Sequence, residues 1–139
     1  MNQLDAAWLA GLVEGEGNIG IYSRYALLQI TNTDKSILEH AGDILSQNWC
    51  LASGHEEFPS KRKDRYWLQL RGGLRATHEA LCVILPHLVG RKRKIAEVVL
   101  AFTSSRLRKG VHYGKKLRLD AKERILCERF RVLSKAGRG

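Results

Sequence analysis

Between Leu4 and Glu16 the chain reads LDAAWLAGLVEGE, with Trp8, Leu9, Leu12 and Val13 recurring at three- and four-residue spacing. That is the period of an amphipathic helix with its apolar side inward. Asp5 stands where an N-cap is expected, and Gly15 and Gly17 stand where the helix should stop. The period then shortens to two. NIGIYSRYALLQITN alternates around Ser23 and Arg24, which predicts two short strands joined by a turn. Asp34 is the expected cap of a second helix over about 35–47, with Ile37, Leu38, Ala41, Ile44 and Leu45 on its apolar face.

The stretch WCLASGHEEFPSKRKDRYWLQLRG predicts a second, weaker strand pair with the long basic connection SKRKDR. Residues 74–88 read as a helix running up to Pro86, and 91–108 as another with Ile95, Val98, Val99 and Phe102 inward. KGVHYGKK links to a last amphipathic helix at about 120–135, and residues 136–139 read as a frayed tail. The order α-β-β-α-β-β-α-α-α shows no internal repeat and no low-complexity segment, so one α+β domain over 1–139 is expected.

Charge adds a partner to this outline. The chain's 139 residues carry 24 Lys+Arg against 14 Asp+Glu, a net charge of +10. This is the electrostatic footprint of a polyanion binder, nucleic acid first among them. No stretch has the roughly 18 apolar residues of a membrane span, and MNQLDAAW has no basic region of a signal peptide. Cys50, Cys82 and Cys127 are odd in number, far apart and without a CxxC pair, so reduced thiols are expected. An intracellular site follows as the expectation: bacterial or phage cytoplasm, or an organelle. His40, His55, His78, His87 and His112 form no metal-ligand spacing with these cysteines, and no structural zinc is expected.

Alternate side chains of a strand face opposite ways. Ile19 and Ile21, Leu28 and Ile30, and Tyr66, Leu68 and Leu70 form an apolar set. The other set holds Asn18, Gly20, Tyr22 and Arg24, then Tyr25, Leu27, Gln29 and Thr31, then Arg65, Trp67, Gln69 and Arg71. Arg pairs with guanine and Asn or Gln with adenine, and a β-ribbon fits the major groove. With Lys61 and Arg62 beside it, this face is a candidate surface for double-stranded DNA; the plain alternative is a sheet with one wet face.

Two acids at a helix end are harder to place. A carboxylate near a helix C-terminus meets the negative end of the dipole, at a cost of roughly 0.3–1 kcal/mol. DNA phosphates would add repulsion. A cation resolves the conflict, and Mg²⁺ is usually held by one or two carboxylates plus phosphate oxygens. Ala7, Gly11 and Gly15 recur every fourth residue, so one stripe of the same helix is nearly bare. Small residues at this spacing admit a second helix closely. Two copies meeting at a two-fold axis would set two acidic ends side by side.

LAGLVEGEG, followed by NIGIY and LLQITNTDKSILEHAGDIL and more loosely by YWLQLRG and LVGRKRKIAEVVLAF, resembles the LAGLIDADG homing endonucleases over roughly residues 4–103. It differs from the nine-residue signature at Val13, Glu14, Gly15 and Glu16. The resemblance implies an αββαββα domain with a saddle-shaped antiparallel sheet and additional C-terminal helices. It implies that Glu16, where the family usually has Asp, binds the divalent metal with help from the Gly15 carbonyl. Glu14 is implied as a helix-end and dimer-interface residue beside Ala7, Trp8, Gly11, Leu12 and Gly15. Asn32 matches a polar position that orders water, and the active-site cation is Arg91 or Lys92, with Lys92 slightly favoured; Arg93 and Lys94 are equally well a solvated charge run. A single motif implies a homodimer that cuts a long pseudo-palindromic site across the minor groove, leaving 3′ overhangs. Mg²⁺ is the implied cofactor, with Mn²⁺ substituting and Ca²⁺ binding without cleavage. The rival on the same scaffold is a non-cleaving DNA-binding regulator or an RNA-binding intron maturase.

Overall fold

A computed structural model of the chain describes residues 1–45, 49–55, 64–70, 73–111 and 117–136. The elements are α1 (Gln3–Glu16), β1 (Gly17–Tyr22), β2 (Tyr25–Asn32), α2 (Lys35–Leu45), β3 (Trp49–His55), β4 (Asp64–Leu70), α3 (Gly73–Ile84), α4 (Gly90–Arg108) and α5 (Ala121–Ala136). The helix expected to run to residue 88 stops at Ile84. Pro86, which lacks the N–H an α-helix needs, lies in a 3₁₀ turn from Leu85 to His87.

The four strands form one antiparallel sheet in the order β1-β2-β4-β3. Ser23 and Arg24 make the two-residue turn of the first hairpin, with Ser23 at φ 56° in the left-handed region. Arg24, expected on the strand's polar face, is therefore a turn residue. α1 to α4 pack on one side of the sheet, and Phe130 of α5 reaches the other at β1. Ile19, Ile21, Ala26, Leu28, Ile30 and Leu68 meet Leu38, Leu81, Ile84, Ile95, Val99 and Phe102 in a continuous core.

α1 differs from its expected form at both ends. Its cap is Asn2, whose Oδ1 accepts the Asp5 N–H at 2.8 Å. Asp5 is displaced into the first turn, where its charge still favours the dipole. The buried face is Ala6, Leu9, Ala10 and Val13, whereas Trp8 is exposed and packs edge-on against His40 of α2, centroids 4.6 Å apart. The helix packs through its alanines, so the wide Trp8 ring is left outside. At the other end Gly17 is extended, φ −90° and ψ 153°, and not left-handed. Its value lies in the missing side chain, since a Cβ there would stand 2.7 Å from the Val13 carbonyl oxygen and 2.8 Å from Val13 Cα.

α5 is tied to α4 at both ends. Asp120 N–H donates to Glu123 Oε1 at 2.9 Å and Glu123 N–H to Asp120 Oδ1 at 2.7 Å, a reciprocal capping box. The fully buried Glu123 carboxylate also accepts from Ser105 Oγ at 2.8 Å, Lys109 Nζ at 3.0 Å and Arg106 Nη1 at 3.4 Å. Burial opposes its charge, but the bonds from Asp120, Ser105 and Lys109 outweigh burial and hold the carboxyl below its ordinary value. At the far end, Arg91 Nη1 donates to the carbonyls of Leu133 at 3.2 Å and Ser134 at 3.4 Å.

Candidate active site and nucleic-acid surface

α1 runs directly into β1, and Gly17 pairs with Ile30. The end of α1 and the end of β2 therefore lie at the same end of the sheet, which brings Glu16 and Asn32 to one region. Glu16 is exposed and Asn32 half-buried. Asn32 Oδ1 accepts the Asp34 N–H at 2.8 Å, and Asp34 in turn accepts from Ser36 N–H at 3.0 Å and Ser36 Oγ at 2.6 Å. These bonds start α2 and also fix the Asn32 amide. They hold the Asp34 carboxyl below its usual range, the Ser36 hydroxyl bond contributing most.

The start of α4 closes this region. Lys92 Nζ donates to the carbonyls of Val13 at 2.8 Å and Glu14 at 2.7 Å. Those carbonyls belong to the last turn of α1, which carries the negative end of its dipole. Burial pushes the Lys92 amine below its ordinary value, with Glu14 and Glu16 acting the other way. Arg91 turns aside to the end of α5, so the two candidate cations have separate partners. Arg93 forms an exposed pair with Glu97 at 3.4 Å. A hollow of about 260 Å³ lies between β1, the start of α4 and the end of α5, lined by Gly17, Asn18, Ile19, Arg91, Lys92, Ile95 and Ser134.

Glu14 is half-buried and faces its own chain, accepting the Val89 N–H at 2.5 Å. Val89 is the N-cap of α4. Spacing along α1 gave no sign of this contact, because its two partners are 75 residues apart. Ala7, Gly11 and Gly15 are exposed, turned away from the buried face of Ala6, Leu9, Ala10 and Val13, and a Cβ on Gly11 or Gly15 would meet nothing within 4 Å. Leu4, 83 % exposed, extends the same outer surface.

The register sorts the strand side chains as the alternation predicts. Asn18 pairs with Gln29 and Gln29 with Gln69, so three amide side chains form a row across β1, β2 and β4. Thr31 stands opposite Trp67, and Tyr22 opposite Tyr25, on the same face. Asn18, Tyr22, Tyr25 and Arg65 are exposed; Arg24, Gln29, Trp67 and Gln69 are half-buried. Lys61, Arg62 and Arg71, also expected to face nucleic acid, lie outside the described residues. One part of the face is covered. Gly20 is buried beneath the rings of Tyr22 and Phe130, which meet edge-on with centroids 5.8 Å apart. The amphipathic pattern of α5 did not reveal that Phe130 would reach the polar side of β1.

No protein-family model matches this sequence, and no curated protein matches it. Solved structures share the fold. The homing endonuclease I-CvuI bound to the I-CreI target with Mg, the DNA uncleaved, superposes with a TM-score of 0.54 at 24 % identity over 95 % of this chain and 96 % of that one. The same enzyme bound to its own target with Ca gives a TM-score of 0.55 at 22 % identity over the same shares, 95 % and 96 %. The chain thus has the homing-endonuclease fold.

Proposed function

We propose that this chain, built on the homing-endonuclease fold, is a site-specific DNA endonuclease of the LAGLIDADG type that acts as a homodimer with a divalent metal. The observation that carries the reading is Lys92 bonded to the carbonyls at the end of α1, in the turn that carries Glu16, with the end of β2 at the same end of the sheet, in a strongly basic chain. The neighbours of like fold are DNA complexes solved with Mg or Ca, which supports the same class of partner and cofactor here.

Glu16 and the Gly15 carbonyl are hard oxygen donors at a helix end, where carbonyls lack intrahelical partners, and this donor set suits Mg²⁺. Among the described residues no three His, Cys, Asp or Glu side chains cluster, so phosphate oxygens and a second copy would complete the ion's shell. Bound there, the metal supplies Lewis-acid stabilisation of charge developing on the phosphate. Mn²⁺ is expected to substitute, and Ca²⁺ to bind without supporting cleavage. The chain's own groups have separable tasks. Lys92 has three ammonium protons; two go to α1 carbonyls, which leaves one for a phosphate oxygen. Asn32, fixed through its Oδ1, presents its NH₂ to a water. The row Asn18, Gln29 and Gln69 offers amides to base edges in the major groove, flanked by Arg65.

The bare stripe of α1 is where a second copy fits. Open space at Gly11 and Gly15 lets two α1 helices approach about a two-fold axis, which would bring the two Glu16 carboxylates together. A plasmid-nicking assay with Mg²⁺ tests the whole reading. Wild type should cut DNA bearing its cognate insertion site, and Glu16→Gln should lose on the order of 10²-fold or more in rate. Binding without any cut by either protein would sink the nuclease reading and leave a DNA-binding regulator or an RNA-binding maturase.

A further inference from the structure

Two helix ends meet beside Glu16, and each supplies what the other lacks. The last turn of α1 presents carbonyls with lone pairs to spare, Val13 already accepting the Gly17 N–H, and the negative end of its dipole; the start of α4 presents free N–H groups and the positive end. Lys92 of α4 bonds the carbonyls of Val13 and Glu14. Glu14 of α1 bonds the N–H of Val89, the N-cap of α4. Three contacts of 2.5–2.8 Å thus run in both directions across the junction.

We propose that Glu14 is a positioning residue: by accepting the Val89 N–H it locks the end of α1 to α4, and this fixes where the Glu16 carboxylate and the Gly15 carbonyl stand. The proposal rests on the nuclease reading above and deepens it. Glu14 is well suited to the task. It is half-buried and its oxygen is already taken by a main-chain donor, whereas Glu16, two residues on, is exposed. Gly15 and Glu16 form the last turn before β1, and that turn is held by the Gly17 N–H on the Val13 carbonyl from one side and by the junction with α4 from the other. The two acids of the motif therefore divide the work: one holds the helix end and the other is held out by it.

The test separates an oxygen acceptor from a charge. Glu14→Gln keeps an oxygen for the Val89 N–H, and Glu14→Ala removes it. Hydrogen exchange should show the Val89 amide protected in wild type and Glu14→Gln and exposed in Glu14→Ala, whatever the protein's activity. Single-turnover cleavage at saturating Mg²⁺ should fall about 10–100-fold in Glu14→Ala, the range seen when a supporting partner of a metal ligand is lost. Glu14→Gln should restore it to within about threefold, an effect of about 0.7 kcal/mol or less. DNA affinity in Ca²⁺ and sedimentation should be the same for all three proteins, which a general folding or interface defect would not allow. Equal loss in both variants would make Glu14 a charged participant and overturn the proposal. A fully active Glu14→Ala beside an active wild type would overturn it alone. Wild type that cuts nothing would overturn the nuclease reading and this role together, while the exchange result would still report on the contact itself.

Discussion

The glycines of LAGLVEGEG should respond to one substitution in opposite ways. At Gly17 an added Cβ would lie 2.7 Å from the Val13 carbonyl oxygen, 2.8 Å from Val13 Cα and 2.8 Å from Val13 Cγ1, against the 3.4–4 Å of ordinary contact. Two of these atoms are backbone, so no rotamer change relieves the clash. Forcing a methyl into such a site costs about 1–3 kcal/mol, which for a chain of this length is about 3–15 °C in Tm. The atoms that must yield belong to the turn that carries Glu16, so Gly17→Ala should also slow cleavage, by up to about 10²-fold for a displacement near 1 Å. Gly11 and Gly15 are the contrast, because a Cβ at either meets only open space. Alanine there should raise helix stability by up to about 1 kcal/mol, less at Gly15 in the final turn. The bulkier Gly11→Leu should leave the fold intact but block close approach of a second α1, so sedimentation should show loss of the proposed dimer. Scanning calorimetry and sedimentation equilibrium on wild type and these four variants read these effects directly. Wild-type Tm in Gly17→Ala would refute the packing argument; an undiminished dimer in Gly11→Leu would refute the interface.

Glu123→Gln should destabilise by about 3–5 kcal/mol, because it removes a buried carboxylate that pairs with Arg106 and Lys109. The folded-state pKa of Glu123 lies below the ordinary value of 4.5, so its contribution is present above pH 4.5 and fades as pH falls through the folded value. Denaturant melts across that window should show wild type converging on the variant, and a pH-independent gap would contradict the assignment. Gln69→Ala should relax base preference at one position by about 1–3 kcal/mol, read by binding selection. Arg65→Ala should instead weaken all sequences alike and reduce the salt slope by about one unit. Phe130→Ala should cost about 3–5 kcal/mol and uncover Gly20 and Tyr22, measured as a Tm drop with added protection of Tyr22 by DNA.

Local periodicity determined much of this protein. The change from a 3.6-residue to a two-residue period placed each helix and strand within a few residues, because hydrophobic spacing must match the element that buries it. Alternation also divided the sheet correctly: the register joins Asn18, Gln29 and Gln69 on one face and buries Ile19, Leu28, Ile30 and Leu68 on the other. The resemblance in LAGLVEGEG carried the fold, and structures sharing it bear that out. What the sequence alone left open depended on groups far apart in the chain. Which cation lies beside α1 was decided by where α4 begins, since Lys92 reaches Val13 and Glu14 while Arg91 reaches α5. The partner of Glu14 is a main-chain N–H, which has no signature in a string of side chains. Phe130 reaches the polar side of β1 from an α5 whose two ends are tied to α4 by the Glu123 network and Arg91, contacts between residues far apart in the chain. Periodicity records what each segment buries; it is silent on which segment covers it, because that choice is made by packing across the whole fold.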